Sequence, residues 1–145
     1  MMDVVSKKVR SRMMSAIRGK DTKPELALRR GLHALGHRYS LHRKDLKGRP
    51  DLVFPRRKAV IFVHGCFWHR HPYCRHATTP SSNEGFWAEK FRTNQMRDQQ
   101  VQNLLSELGW RILVIWECET RPAVIEATLK RVDAWLQVAP ISSVS

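Results

Sequence analysis

The segment His64–His76, HGCFWHRHPYCRH, holds four histidines, two cysteines and two adjacent large aromatics. Cys66, His71 and Cys74 are spaced C-x4-H-x2-C, and a third cysteine, Cys118, follows the apolar run Trp110–Trp116. If that run lies beside the strand ending at His64, three thiolates and one imidazole form a closed tetrahedral set suited to structural Zn2+. Such a site would pin a long loop that has little core of its own. His69 or His76 is an alternative to His71 as the fourth ligand. An odd count of three cysteines argues against a closed disulfide framework and for reduced, metal-binding thiols.

A second chemistry starts at Asp51, which follows Pro50 and opens an apolar strand. A carboxylate at a strand mouth, beside a second strand ending in His64, presents a hard oxygen ligand to Mg2+. Glu25 lies in the first turn of a helix and His69 follows the aromatic pair. Glu25 also has capping-box spacing to Thr22, a role that competes with service at a metal. Together these are the parts for hydrolysing a phosphodiester. A metal neutralises the developing charge, and a neutral imidazole takes the proton from attacking water. Arg and Lys hold the backbone.

The elements that must position these groups are legible from pattern. DTKPELALRRGLHALG has helical apolar spacing, Pro24 in its first turn and Gly36 as a left-handed stop. HRYSLHR alternates like a half-buried strand. PDLVF and AVIFVH are short apolar runs joined by the basic turn PRRK, the pattern of a hairpin. A long helix is expected from about Asn83 to a stop at Gly109. The buried strand WRILVIWE follows, and then a closing amphipathic helix, RPAVIEATLKRVDAWLQVA. The order α-β-β-β-α-β-α predicts a mixed α/β sheet of about four strands flanked by helices. Residues 1–20 are expected to form a basic arm with a short helix, 21–138 a single domain, and 139–145 a frayed tail.

The chain of 145 residues carries 26 Lys and Arg against 13 Asp and Glu, a formal charge of +13. The excess is spread over clusters such as Lys7-Lys8-Arg10-Arg12 and Arg56-Arg57-Lys58. A folded body this basic points to a polyanionic partner, with nucleic acid first. No apolar run is long enough to span a membrane, and no apolar stretch follows the basic N-terminus as in a secretory signal. A cytoplasmic location is expected.

GRPDLVF, VHGCFWHRH, FWAEK, RTNQMRD and ELGWRILVIWEC resemble the very short patch repair (Vsr) endonucleases of bacteria, from about Lys8 to Trp135. The resemblance implies a restriction-endonuclease-like core, a structural zinc loop and Mg2+-dependent nicking. The implied substrate is duplex DNA with a T·G mismatch left by 5-methylcytosine deamination, cut 5′ to the T. Implied partners are that duplex and other mismatch-repair proteins; a monomer suffices for one nick. By the same resemblance, Asp51 and the backbone carbonyl of Val63 are Mg2+ ligands and His69 is the general base. Glu25 and His64 support through water, and Asp98 orients. Cys66, His71, Cys74 and Cys118 match the zinc ligands. Phe67, Trp68 and Trp87 match aromatics that wedge into the base stack, and Met14 an apolar residue entering the minor groove. Lys90 and Asn94, four apart on one helix face, match residues that read the mismatch region. Phe86 is assigned to helix core. Val63 stands where the family pattern has a hydroxyl residue, and the acidic-x-Lys pattern of restriction-type nucleases is absent. The competing readings are a zinc-stabilised mismatch-binding module without catalysis and a nuclease of other specificity. The joint presence of Asp51 and His69 favours the enzyme.

Overall fold

The computed structural model describes residues 21–138. Its elements are α1 (Lys23–Ala34), β1 (Ser40–Leu41), β2 (Leu52–Phe54), β3 (Ala59–His64), α2 (Glu84–Glu107), β4 (Arg111–Trp116) and α3 (Ile125–Gln137). Short 3-10 turns occupy Pro55–Arg57 and Glu117–Thr120. The expected arm, with Met14, and the expected tail lie outside the described residues. No helix among the described residues is long and apolar enough to cross a membrane.

The sheet order is β1-β2-β3-β4. β1–β2 and β2–β3 are antiparallel, while β3–β4 is parallel with His64 opposite Trp116. The expected hairpin is therefore present, closed by the 3-10 turn and by Lys58 in the left-handed region. The strand expected over HRYSLHR shrinks to Ser40–Leu41. Its partner β2 is itself only three residues long, so there is little edge for it to pair with.

Alternation along β3 and β4 fills two cores. Ala59, Ile61 and Ile115 face Leu28 and Leu32 of α1 and Val132 and Leu136 of α3. Val60 and Phe62 face Val101 and Leu105 of α2. The result is a three-layer α/β/α arrangement. Each fully buried leucine contributes about 1.5–3 kcal/mol of apolar transfer. Helices α1 and α3 cross closely because Gly31 is bare: a Cβ there would stand 2.4 Å from Leu129.

Helix α1 ends as its sequence demands. Gly36 has φ +97°, and the amide N–H groups of Gly36 and His37 donate to the carbonyls of His33 and Leu32. Helix α2 likewise ends at Gly109, with φ +91°. Both sheet-to-loop junctions that carry chemistry, after β3 and after β4, leave the parallel pair at the same end.

Candidate active site and metal-binding cluster

The parallel register explains the thiol cluster. Cys66 and Cys118 each lie two residues beyond the paired His64 and Trp116. Ligand atoms of Cys66, His71, Cys74 and Cys118 all fall within 4.8 Å of one another. The Sγ of Cys118 is 3.5 Å from Nδ1 of His71. The structure thus brings in His71 rather than His69 or His76. Burial pushes the Cys66 thiol up to about 12. The Cys74 thiol is lowered, chiefly by a hydrogen bond from the His76 amide. The His71 ring stacks on Trp116 at 4.3 Å between centroids. Three sulfurs and one imidazole nitrogen at tetrahedral range are a soft donor set that fits zinc.

Asp51 sits one residue before β2, where the amide N–H of Val63 donates to its Oδ2 at 2.7 Å. Burial raises its pKa to about 6; that hydrogen bond opposes the rise and nearby Glu25 adds to it. Val63 thus meets Asp51 through its nitrogen. Glu25 is 1% exposed, and its two oxygens divide the roles that competed in the sequence. Oε1 accepts from the Asp21 amide at 3.0 Å, beside the Thr22 side-chain cap on the Glu25 amide. Oε2 accepts from Arg29 at 2.7 Å and faces His42. Two neighbouring carboxylates, one raised by burial, fit a hard divalent cation, whose charge would offset that burial.

The histidines form a second line of groups. His69 Nδ1 pairs with Asp98 Oδ2 at 2.6 Å. The His64 ring stacks on His69 at 3.9 Å and 8°. Burial, with His69 beside it, lowers the pKa of His64 to about 4, so it is neutral at neutral pH.

Helix α2 brings the aromatics together. Phe67, Trp68, Trp87 and Phe91 form one cluster with centroid spacings of 5.0–5.8 Å. The Arg70 guanidinium lies over Phe91 at 4.1 Å. Phe86 is not core: it is 63% exposed, while Trp87 is partly buried. The helix turn that points Trp87 at Phe67 turns Phe86 outward. Lys90 is exposed. Asn94 donates its amide to the Trp68 carbonyl at 3.2 Å, tying the aromatic loop to α2. His42 escaped the sequence reading altogether. Its signal is positional: it follows β1 directly and the β1–β2 register sets it opposite Asp51.

Residues 2–75 match the family model described as DNA mismatch endonuclease Vsr. The chain is 45% identical over 133 residues to type II nicking enzyme V.XorIIP of Xanthomonas oryzae pv. oryzae, covering 91% of this chain and 97% of the relative. It is 40% identical over 139 residues to DNA mismatch endonuclease Vsr of Escherichia coli, covering 94% and 88%. It is 39% identical over 125 residues to type II nicking enzyme V.NmeAIP of Neisseria meningitidis, covering 86% and 89%. Together with a carboxylate and imidazole site at one end of an α/β sheet, these define a DNA endonuclease. The similarity runs through both halves of the sheet. The chain belongs to the Vsr family.

Proposed function

We propose that this enzyme is a Mg2+-dependent, strand-specific nicking endonuclease acting on duplex DNA with a T·G mismatch. It cuts 5′ to the mispaired T left by 5-methylcytosine deamination and so starts short-patch repair. The core is read as restriction-endonuclease-like. The observation that carries this reading is the meeting of two sets at one end of β3. One is Asp51 with Glu25, the other His64, His69 and Asp98; His69 directly follows Trp68 of the aromatic cluster that packs on α2.

Asp51, with the Val63 carbonyl, would hold Mg2+, and Glu25 would bind its water. A cation held there would supply charge neutralisation at the phosphate and a more acidic water. Asp98 accepts from Nδ1 of His69, which fixes the tautomer and leaves Nε2 free to take a proton. His64, neutral and stacked on His69, keeps that ring in place without a competing charge. Phe67, Trp68 and Trp87 present a broad apolar edge. Wedging it into the stack costs a few kcal/mol per step, less at a wobble pair, so the wedge itself selects distorted sites. Lys90 contacts the phosphate backbone or mismatch region. Asn94, already bonded to Trp68, sets the angle of that loop. Met14 would enter from the minor groove. Zn2+ at Cys66, His71, Cys74 and Cys118 holds the loop that carries Phe67, Trp68 and His69.

The test is a strand-resolved cleavage assay with Mg2+ on two duplexes that differ only in T·G or C·G at a cytosine-methylation site. Nicking of the T strand alone, in the mismatched duplex alone, is the expected result. Equal cutting of both duplexes would overturn the mismatch reading, and binding without cutting would overturn the nuclease site.

A further inference from the structure

His42 has no part in the site as so far described, yet three elements converge on it. Its amide N–H donates to the Asp51 carbonyl at 3.3 Å, extending the β1–β2 ladder by one residue. Its backbone is left-handed, φ 47°, a conformation that disfavours a residue with a Cβ. Its ring Nε2 lies 2.8 Å from Glu25 Oε2. The two atoms are close but not aligned: Nε2 is buried and has no hydrogen-bond partner. An unmet buried polar nitrogen destabilises the fold.

Two donor atoms at this distance without a bond between them are what adjacent ligands of one small cation look like. With Mg–O distances of about 2.1 Å, ligands at right angles stand about 3 Å apart. Ligand atoms of Glu25, His42 and Asp21 all lie within 4.8 Å of one another, and Asp51 shares a side-chain hydrogen bond with Glu25, which sets its carboxyl at the edge of that group. Arg29 bonds Glu25 Oε2 and Asp21 Oδ1, both at 2.7 Å. That guanidinium holds Glu25 in its rotamer and offsets one charge. The remaining carboxylate charge and the orphan nitrogen are left for a divalent ion.

We propose that His42 Nε2 is a donor of the catalytic cation centre beside Asp51, with Glu25 Oε2 a direct ligand next to it in place of the water-mediated role given to Glu25 above. This rests on the reading of Asp51 as a cation ligand. Mg2+ prefers an all-oxygen shell, whereas first-row transition cations accept imidazole nitrogen more readily. The nitrogen therefore makes Mn2+ a good occupant beside Mg2+.

The test titrates the full chain, supplied with zinc, with Mn2+ alone, and follows free Mn2+ and nitrogen-14 coupling by electron paramagnetic resonance. The expected wild-type site disappears in Asp51→Ala. His42→Gln should weaken it about ten- to hundredfold and remove the nitrogen coupling. His69→Gln should keep the coupling. His42→Asn is the second variant if the first does not fold. The ratio of cutting rates in Mn2+ and Mg2+ should also fall in the His42 variant, whereas a merely structural role would lower both in proportion. Unchanged Mn2+ affinity and coupling in the His42 variants would overturn the proposal and leave the cation reading of Asp51 standing. Absence of any Asp51-dependent Mn2+ site in the wild type would overturn both.

Discussion

The thiol cluster and the carboxylate site are both places for a cation, but they are built in opposite ways. Cys66, His71 and Cys74 come from one loop, and only Cys118 comes from elsewhere. That loop contains no strand or helix between His64 and Glu84. In the proposed reading the loop gains its shape from its ligands. Glu25 instead comes from α1, Asp51 from just before β2 and His42 from just after β1, and each is held by hydrogen bonds or register within the fold. One site organises the chain around it; the other is organised by the chain. The first should therefore be sensitive to metal in its structure, and the second in its chemistry alone.

The sharpest way to break this contrast is Asp51→Ala. Cutting should fall at least about a thousandfold, since the cation supplies several kcal/mol of charge stabilisation. DNA binding should remain measurable by anisotropy. Unimpaired cutting would remove Asp51 from the cation site. Next comes Cys74→Ser, expected to lower metal affinity and cutting about ten- to hundredfold. In hydrogen exchange, residues 65–80 should lose protection while β3 and β4 keep theirs. Uniform loss across the sheet would mean that the cluster supports the whole fold.

A smaller effect concerns stability. A carboxyl with a raised folded-state pKa favours the fold while it is protonated. That support is full below about 4, the ordinary carboxylate value, and is lost as pH rises through about 6. Magnesium-free protein should thus lose about 2 kcal/mol between pH 4 and 7. Asp51→Asn should flatten that slope in thermal melts; an unchanged slope would place its origin elsewhere. Smallest of all, Lys90→Ala should reduce the salt dependence of DNA binding by about one phosphate contact. A change in mismatch preference with no change in salt slope would make Lys90 a base reader instead.

Local signals carried most of the fold. The apolar spacing and Gly36 set the end of α1, and the β-branched runs set β2 and β3. The three-cysteine, one-histidine spacing carried the cluster because most of its ligands are neighbours in sequence. What failed depended on packing. HRYSLHR alternates well, but strand length is set by the short partner β2. Phe86 and Trp87 are adjacent and equally apolar, so only the position of Phe67 decides which turns inward. His42 had no motif around it; its meaning comes from a register that pairs it with Asp51. Asn94, matched by resemblance to a reader of DNA, also donates to the Trp68 carbonyl, a contact invisible without the fold.

Four aromatic rings run in sequence from the cluster to the site. His71 stacks on Trp116, the edge of Trp116 meets His64 at 5.4 Å, and His64 stacks on His69. In mechanical terms this is a stack of shims. The thickness of each ring sets the seat of the next, with one end fixed by a thiol-bound ligand and the other by the Asp98 carboxylate. A loop anchored in this way cannot drift without displacing the His69 imidazole, so in the proposed reading an intact cluster and a correctly seated base become one condition rather than two.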